Sequence, residues 1–490
     1  MAVESFEVTK GKKSGDLLSR PVVRKTLKVG LLATAYFEYF RMYDNIEADC
    51  IADMKIVADK LARNQDVVYP GMVTTLDEAD EAGIVFKDKQ VDLLIITQST
   101  YTPDYILHQT LHHLPSDIPI LIFASQSHDK LDFSCNFDVS LRNSGPMALV
   151  QLTAGFRKMD KHLDYHVVVG CIHEDEVYDE IDRYIQVRTT ISELKEWTIG
   201  VIGHVFRGMY DFQYDKTALE GKFGPHVMEF QSSHLTNLMD EYPMDHPKVL
   251  ALKKHVFDSY EVRELNDLEV NRAARLGVSL VECVDRYKLN GLALLGQHYI
   301  ESMFNSTCHL GVSEILRSDK AIAVTEGDVI GLIMSKVLKD FTGQTPFFGE
   351  WEEYDKELNA VMLLGHGFVD TRTVREERPI VVPTSEEWGF EGNSFGFQAS
   401  FKPGPVTMTH VIQDANGWRI LITGGEIIDT PPFTRLGESA MIVKVDKPVK
   451  QFFKELMKFG FAHHSITAFG DVRDQLEIFA EQLGLEICRL

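Results

Sequence analysis

The sequence predicts an α/β protein with two doubly wound α/β domains followed by a β-rich α+β C-terminal domain. A chain of 490 residues is long enough for about three domains of roughly 150 residues each. Strand-sized apolar runs alternate with amphipathic helices through two successive cycles, which is typical of parallel sheets. After about residue 345, short β-prone runs separated by turn residues replace this alternation and indicate a β-barrel or sandwich.

The first cycle predicts an N-terminal α/β domain at residues 26–172, after a polar arm at residues 1–25. Its helix at 46–61 has apolar residues at spacings of three or four, which indicates one buried face. The predicted elements are strands at 27–33, 66–69, 91–97 and 118–124 and helices at 46–61, 76–86, 104–114 and 146–159.

The second cycle predicts a central α/β domain at residues 173–330. A long, charge-rich helix at 174–194 leads into it and is placed to cross between domains. The cycle begins with a strand at 166–170, inside the bounds of the N-terminal domain. It continues with strands at 198–203 and 292–296 and helices at 174–194, 233–242, 246–260, 266–287, 311–318 and 328–341.

The last part of the chain, residues 331–490, predicts a β-barrel-like C-terminal domain. The turn at 414–417, with sequence Asp-Ala-Asn-Gly, joins two of its strands as a hairpin. The predicted elements are strands at 359–364, 379–382, 394–401, 406–413, 418–422 and 485–488 and helices at 449–459 and 471–483.

Composition excludes several classes of protein. The formal net charge of −23 would repel a phosphate backbone, so nucleic acid is not an expected partner. The longest apolar runs are strand-sized, far short of the roughly 20 residues of a membrane-spanning helix, so no membrane partner is expected. The six cysteines form no CxxC pair, and the N-terminus has no apolar core of a secretory signal. These features predict a cytoplasmic protein.

Two glutamates stand in unusual segments. Glu326 lies in Thr325-Glu-Gly-Asp328, between a buried strand and a helix. One interpretation is structural, with Thr325 capping the helix and Asp328 as the capping-box acid, but it leaves Glu326 without a role. Glu350 lies within the aromatic segment 347–351. Its alternative interpretation is an exposed acid beside a core aromatic patch.

Two histidine segments complete the set. His366 follows an apolar strand and is flanked by glycines, which let a ligand or metal approach closely. His463 and His464 are adjacent, and in a strand such a pair points in two directions, so at most one is expected to face a given site. Two carboxylates with two imidazoles suit Mn²⁺ better than a metal that prefers thiolates. The composition fits a divalent-metal site that moves protons between adjacent carbons.

These four segments resemble, in order and spacing, those of L-arabinose isomerase and, more distantly, L-fucose isomerase. The family's Gly-Glu-Gly-Asp turn is similar to Thr-Glu326-Gly-Asp, and its second glutamate segment is similar to Thr-Pro-Phe-Phe-Gly-Glu350. An apolar strand ending in Leu-Gly-Ser-His is similar to Leu-Gly-His366, and Ala-His-His-Thr is similar to Ala-His-His464-Ser. The resemblance extends over nearly the whole chain, within the L-fucose/L-arabinose isomerase superfamily.

The resemblance implies a set of ligands and catalytic groups. Glu326, Glu350, His366 and His464 would bind Mn²⁺, with Co²⁺ or Mg²⁺ as alternatives, and the two glutamates would also act as acid and base. Which glutamate is acid and which is base stays open. The sugar contacts expected with this set are Tyr36, Glu38, Gln297, His298 and His463.

The chain departs from the family where the family's sugar pocket is shaped. The family's Ser-Gln-His-Leu-Tyr segment is replaced by residues 34–39, Thr-Ala-Tyr-Phe-Glu-Tyr. The family's Asn-Gln-Thr-Ala-His-Gly is replaced by Arg-Asn-Ser-Gly at 142–145, which lacks the histidine. The sugar and its stereochemistry therefore stay open, although the metal chemistry is expected to be retained.

The resulting prediction is a metal-dependent aldose–ketose isomerase that acts on a small free sugar through a cis-enediol. One alternative is an isomerase or epimerase of another sugar or sugar acid on the same scaffold. Another, from a different class, is a non-catalytic sugar-binding protein, which would not require a metal. The resemblance also implies a homo-oligomer, a trimer or hexamer, with active sites between subunits. The aromatic segment 36–43 is either a local core or such a contact surface.

Overall fold

The computed structural model describes residues 25–159, 165–295, 301–384, 394–431, 433 and 436–490. The chain forms two compact units, Arg24–Thr189 and Thr190–Leu490. The predicted arm at 1–25 lies, apart from its last residue, outside the described residues. The predicted divisions near residues 172 and 330 and the cytoplasmic location stay predictions.

The N-terminal unit contains a parallel α/β sheet. The strand order is β2-β1-β4-β5-β6, and β3 also pairs with β1. The elements are β1 (Lys28–Thr34), α1 (Phe37–Met42), α2 (Ile46–Leu61), β2 (Asp66–Val68), β3 (Met72–Val73), α3 (Leu76–Lys89), β4 (Leu93–Gln98), α4 (Asp104–Leu111), β5 (Ile120–Gln126), α5 (Phe137–Leu141), α6 (Gly145–Lys158) and β6 (Tyr165–Cys171). The strand order reverses at β1, which makes the carboxyl edge between β1 and β4 a topological switch point.

The apolar runs form this sheet because both of its faces are covered. All six residues of β4 are buried, as expected for a central parallel strand. In the aromatic segment, Tyr39, Phe40 and Tyr43 are partly buried and pack against a small apolar core. Met42 is 65% exposed, so the segment is a local core on one side and an open surface on the other.

The helix α7 (Asp175–Leu194) leads to the second unit, which begins with another parallel sheet. Its strand order is β11-β10-β7-β8. The elements are β7 (Thr198–Ile202), α8 (Lys216–Phe223), β8 (His226–Phe230), α9 (Ser232–Glu241), α10 (Pro247–Ser259), β9 (Glu261–Val262), α11 (Asp267–Arg286), β10 (Gly291–Leu294), α12 (Glu301–Phe304), α13 (His309–Arg317), β11 (Ile322–Val324) and α14 (Val329–Thr342).

The remainder of the second unit is β-rich and includes a closed barrel. Six strands pair in the order β16-β19-β12-β13-β18-β17, and β17 pairs with β16 to close the ring. The elements are β12 (Phe347–Asp355), β13 (Ala360–Leu364), β14 (Ile380–Pro383), β15 (Phe395–Gln398), β16 (Gly404–Asp414), β17 (Gly417–Ile427), β18 (Ala440–Lys444), α15 (Val449–Phe459), β19 (His464–Phe469), α16 (Arg473–Leu483) and β20 (Glu486–Arg489). The mixed α/β fold with parallel sheets and a β-rich C-terminal region is as predicted.

The barrel and the preceding helix determine where the candidate site lies. α14 packs against β16 and β19, so the turn before α14 meets the barrel wall. The predicted hairpin is present, with Asp414 opposite Gly417 and the Asp414 carboxylate accepting from the Asn416 and Gly417 amides. Within the described residues, no helix combines the length and apolar character needed to span a membrane.

Candidate metal centre

Glu326 is held in an unusual backbone conformation at the end of β11. Its φ is +60° and that of Gly327 is +72°, so two consecutive residues are left-handed. A Cβ on Gly327 would lie 2.7 Å from the His204 carbonyl oxygen, and the Phe206 N–H donates to the Glu326 carbonyl at 3.1 Å. The loop after β7 therefore packs closely against this turn. Such strain persists only where the surroundings enforce it, and it clusters at functional sites.

The helix after this turn is capped by Asp328, not by Thr325. The Asp328 carboxylate accepts from the Gly331 N–H at 2.7 Å, and α14 begins at the next residue, Val329. The alternative, structural interpretation of Thr325 as the cap is therefore wrong, because the left-handed pair at 326–327 separates Thr325 from the helix. The Thr325 hydroxyl makes no hydrogen bond with the described residues.

Strand register brings Glu350 and His464 to one place. They are directly opposite each other on the antiparallel strands β12 and β19, so their side chains share a face of the barrel wall. Leu364, at the end of β13, pairs with Glu350 from the other side, and His366 follows two residues later. The Glu350 side chain is only 20% exposed, so it is not the open-surface acid of the alternative interpretation.

The four predicted ligands converge. The Nε2 of His464 lies 2.8 Å from Glu326 Oε2 and 3.9 Å from Glu350 Oε1. The Nε2 of His366 lies 3.1 Å from Glu350 Oε1 and 3.9 Å from Glu326 Oε2. Ligand atoms around one octahedral ion, at bonds of about 2.1 Å, are about 3 Å apart when adjacent and about 4 Å apart when opposite. The donor set and its spacing therefore fit a divalent metal ion.

His463 also faces this cluster, which corrects the expectation that only one histidine of the pair would. Its Nε2 lies 3.4 Å from Glu350 Oε1, and the ligand atoms of Glu326, Glu350, His463 and His464 all lie within 4.8 Å of one another. Successive side chains alternate between the two faces only within a strand. Here β19 begins at His464, and His463 is in the bend before it, so the alternation does not apply to this pair. Its Nδ1 contacts Asp211 Oδ2 at 2.6 Å, which holds the ring in place.

The carboxylates and imidazoles of the cluster shift one another's pKa values. Burial opposes ionisation of Glu326 and Glu350, but the neighbouring imidazoles outweigh it and hold both carboxyl pKa values below their usual range. Burial likewise opposes a charged His366, yet Glu326 and Glu350 raise its pKa to about 9. For His463, Asp211 and Glu350 overcome burial and raise the pKa to about 10. A bound cation would take the place of these protons.

Three contacts around His464 could not be read from the sequence. Its Nδ1 donates to Asp328 Oδ2 at 2.8 Å, which leaves Nε2 for the cluster. The Phe212 ring stacks on His464 with centroids 4.8 Å apart, and Phe348 packs at 4.6 Å. Asp211 and Phe212 belong to the loop after β7, whose sequence contains no signal for this role.

Of the other predicted site residues, two belong to the N-terminal unit and two lie outside the described residues. Tyr36 and Glu38 lie in the N-terminal unit, where Tyr36 precedes α1 and Glu38 is in its first turn. Gln297 and His298 lie outside the described residues. The predicted sugar contacts other than His463 therefore stay predictions.

Comparisons with known proteins bear on the family. No protein-family model matches the chain. The sulfoquinovose isomerase of Alkalicoccus urumqiensis is 24% identical over 334 residues, which are 66% of this chain and 72% of that protein. The sulfoquinovose isomerase of Priestia aryabhattai is 23% identical over 65% of this chain and 70% of its own. The L-arabinose isomerase of Aeromonas salmonicida is 21% identical over 429 residues, 84% of each chain.

These homologues, at low identity over much of the chain, are members of the L-fucose/L-arabinose isomerase superfamily. The resemblance drawn from the four segments is thereby confirmed. The homologues support an aldose–ketose isomerase.

Proposed function

We propose that this protein is a divalent-metal-dependent aldose–ketose isomerase that acts on a free sugar, with Mn²⁺ held by Glu326, Glu350, His366 and His464. The observation that supports the proposal is the clustering of these side chains: the Nε2 atoms of His366 and His464 each lie 2.8 to 3.9 Å from an oxygen of both glutamates. The ligand atoms of Glu326, Glu350 and His464 lie within 4.8 Å of one another together with that of His463. Co²⁺ and Mg²⁺ are alternatives with compatible oxygen and nitrogen ligands. The homologues named as sugar isomerases support the same reaction.

The two glutamates carry the proton transfers in this proposal. When bound, the ion would polarise the sugar carbonyl and hold both reacting oxygens. One carboxylate takes the carbon-bound proton and the other exchanges a proton with oxygen, through a cis-enediol. Glu326 is buried, with 3% exposure, and Glu350 is one-fifth exposed, so their proton affinities differ. Asp211 orients His463 beside them, where its Nε2 faces Glu350.

The test is a panel of free pentoses and hexoses, incubated with Mn²⁺ and assayed for ketose formation. Metal-free protein prepared with a chelator is the matched control. We expect at least one aldose to be converted only when the divalent ion is present. Tight sugar binding without metal and without ketose formation would instead support the non-catalytic sugar-binding alternative.

A second candidate is an isomerase of an anionic sugar. The relatives named sulfoquinovose isomerase act on a sugar that bears a sulfonate. Arg207 is exposed on the loop after β7. The same loop contacts Glu326 through Phe206 and His463 through Asp211, so it borders the metal centre. An arginine there suits a sulfonate, which it can bind through two parallel N–H groups.

Matched sugars test this substrate class. Sulfoquinovose and its uncharged parent sugar would be compared with the wild type and the Arg207→Gln variant. If the anionic class is right, the variant raises KM for the sulfonated sugar at least about tenfold, the loss of about 1.4 kcal/mol of binding. Its KM for the uncharged sugar should be unchanged. Equal effects on both sugars would remove Arg207 from this role.

We further propose a homo-oligomer with shared active sites, in which the segment 36–43 reaches a neighbouring subunit's metal centre. The exposed side of that segment, where Met42 is 65% exposed, supports this. The test mixes Glu326→Gln subunits with subunits altered at Arg41 and Met42, the exposed residues of the segment. Shared sites regain part of the activity, whereas a monomer by light scattering, or no recovery, contradicts the proposal.

A further inference from the structure

His410 is a buried histidine that the proposed reaction does not use. It lies on β16 with 0% exposure, and both of its ring nitrogens face oxygen atoms. Nδ1 is 2.8 Å from the Val411 carbonyl oxygen, and Nε2 is 3.0 Å from Asp328 Oδ2. Contacts on both ring nitrogens give this buried imidazole a defined orientation.

The carboxylate between His410 and His464 is held from three directions. Oδ1 of Asp328 accepts from the Gly331 N–H at 2.7 Å. Oδ2 faces the Nδ1 of His464 at 2.8 Å and the Nε2 of His410 at 3.0 Å. A Cβ on Gly331 would lie 2.3 Å from Asp328 Oδ2, so only glycine leaves room for the carboxylate in this position. Burial opposes ionisation of Asp328, but His410 and His464 hold its pKa well below the usual range.

We propose that His410 is a positioning residue that acts through Asp328 to orient His464. By donating to Oδ2, His410 keeps the carboxylate where it accepts the Nδ1–H of His464. That hydrogen bond sets the tautomer of His464 and directs Nε2 toward Glu326 and Glu350. The inference rests on the proposed metal centre, because its consequence is the readiness of Nε2 to bind the ion.

The same three side chains are a poorer cation site than the cluster around Glu326 and Glu350. The ligand atoms of Asp328, His410 and His464 lie within 4.8 Å of one another, but they are three where the other cluster offers four. Asp328 is also the one carboxylate of this group, and it already accepts from the Gly331 N–H. All three groups are fully buried, so the arrangement serves as support for the ligand His464.

Measuring the metal affinity distinguishes a positioning role of His410 from a general contribution to stability. The dissociation constant for Mn²⁺ would be measured by electron paramagnetic resonance on metal-free full-length protein, beside the melting temperature. His410→Phe removes the donor to Asp328, and we expect it to raise the dissociation constant about 10- to 100-fold. His410→Gln retains an N–H donor near the Nε2 position and should restore most of the affinity.

Thr409→Val is the matched control. Thr409 is the neighbouring buried residue on β16, and its hydroxyl donates to the Leu421 carbonyl at 2.6 Å. This control should lower the melting temperature without changing the dissociation constant. If Thr409→Val and His410→Phe weakened Mn²⁺ binding equally, His410 would have only a structural role.

Gly331→Ala provides a test that leaves every hydrogen-bonding group in place. Alanine favours a helix over glycine by about 1 kcal/mol, so the variant should fold, while its methyl group displaces the Asp328 carboxylate. We expect weaker Mn²⁺ binding than in the wild type. Gly221→Ala in α8, where a Cβ would meet nothing within 4 Å, should leave the affinity unchanged.

The outcomes distinguish this inference from the metal proposal itself. If the wild type bound no divalent ion, the proposed metal centre would be wrong. If the wild type bound Mn²⁺ and both Gly331→Ala and folded His410 variants bound it equally well, only the role of His410 would be overturned. If His410→Phe does not fold, Gly331→Ala decides the question, because a role through Asp328 requires that displacing the Asp328 carboxylate weaken Mn²⁺ binding.

Discussion

The two units of the molecule each contain a buried polar region, and the two regions are built from different chemistry. At the carboxyl edge of the N-terminal sheet, the buried groups are neutral. Thr97 and Ser125 share a hydrogen bond of 2.7 Å, and Thr34 donates to Thr102 at 3.2 Å. In the candidate metal centre, the buried groups are carboxylates and imidazoles, and their pKa values depart from their usual range.

This difference bears on the cost of burying each region. A neutral hydroxyl can be buried at little cost once it is hydrogen-bonded, so the N-terminal edge needs no functional explanation. A buried charge costs several kcal/mol unless it is paired, and replacing buried ion pairs with apolar groups often stabilises a protein. A cluster such as Glu326, Glu350 and His366 is therefore more often functional than structural.

The largest expected effect comes from the charged region. Glu326→Gln and Glu350→Gln should each abolish turnover and leave the fold intact, because each removes a metal ligand and a proton carrier. The expected cost is several kcal/mol in the activation barrier, at about 1.36 kcal/mol per factor of ten in rate. Initial rates on the best sugar, with circular dichroism as the check on folding, measure this. Retention of more than about a tenth of the wild-type rate would show that the assigned role is wrong.

Removing the metal should lower the free energy of unfolding, by a smaller amount that depends on pH. Mn²⁺ at 100 times its dissociation constant should stabilise the protein by about 2.7 kcal/mol. Without metal, the raised pKa of His366, about 9, contributes stability that is present below about pH 6.5 and is lost as pH rises through 9. Bound metal must expel that proton, so the gain in melting temperature should be larger at pH 8 than at pH 6. An equal gain at both pH values would contradict this.

In the neutral region, substitutions should change the free energy of unfolding. Thr97→Val leaves the Ser125 hydroxyl buried without its partner, which costs about 1–3 kcal/mol of unfolding free energy. The double variant Thr97→Val with Ser125→Ala removes both groups and should recover most of that loss. Urea denaturation of the three proteins measures the coupling. If the double variant were as unstable as the sum of both single changes, the hydrogen bond would not be the cause.

The smallest effect is expected at a local contact outside both regions. Thr75 caps α3 in a capping box with Glu78. Thr75→Ala should cost about 1 kcal/mol of unfolding free energy, and Thr75→Ser should cost less because serine keeps the cap. Thermal unfolding compares the two variants. Turnover should be unaffected in both, and a loss of activity would mean that this helix start matters to the site.

Local patterns in the sequence determined much of this molecule. The alternation of apolar strands and helices predicted the parallel sheets, and the turn at 414–417 predicted its hairpin. The sheets and the hairpin were predictable because each depends on residues close together in the chain, where periodicity and turn chemistry act directly. The ligand set Glu326, Glu350, His366 and His464 stays a prediction; three of its members lie within 4.8 Å of one another together with His463.

Only the tertiary structure decided what surrounds those four side chains. His410 comes from β16, Asp211 and Phe212 come from the loop after β7, and His463 faces the cluster because β19 begins one residue later. Closure and strand register of the barrel bring together groups that are more than 80 positions apart, such as Asp328 and His410. A single sequence does not contain such distances, because they depend on how strands pair across the whole unit.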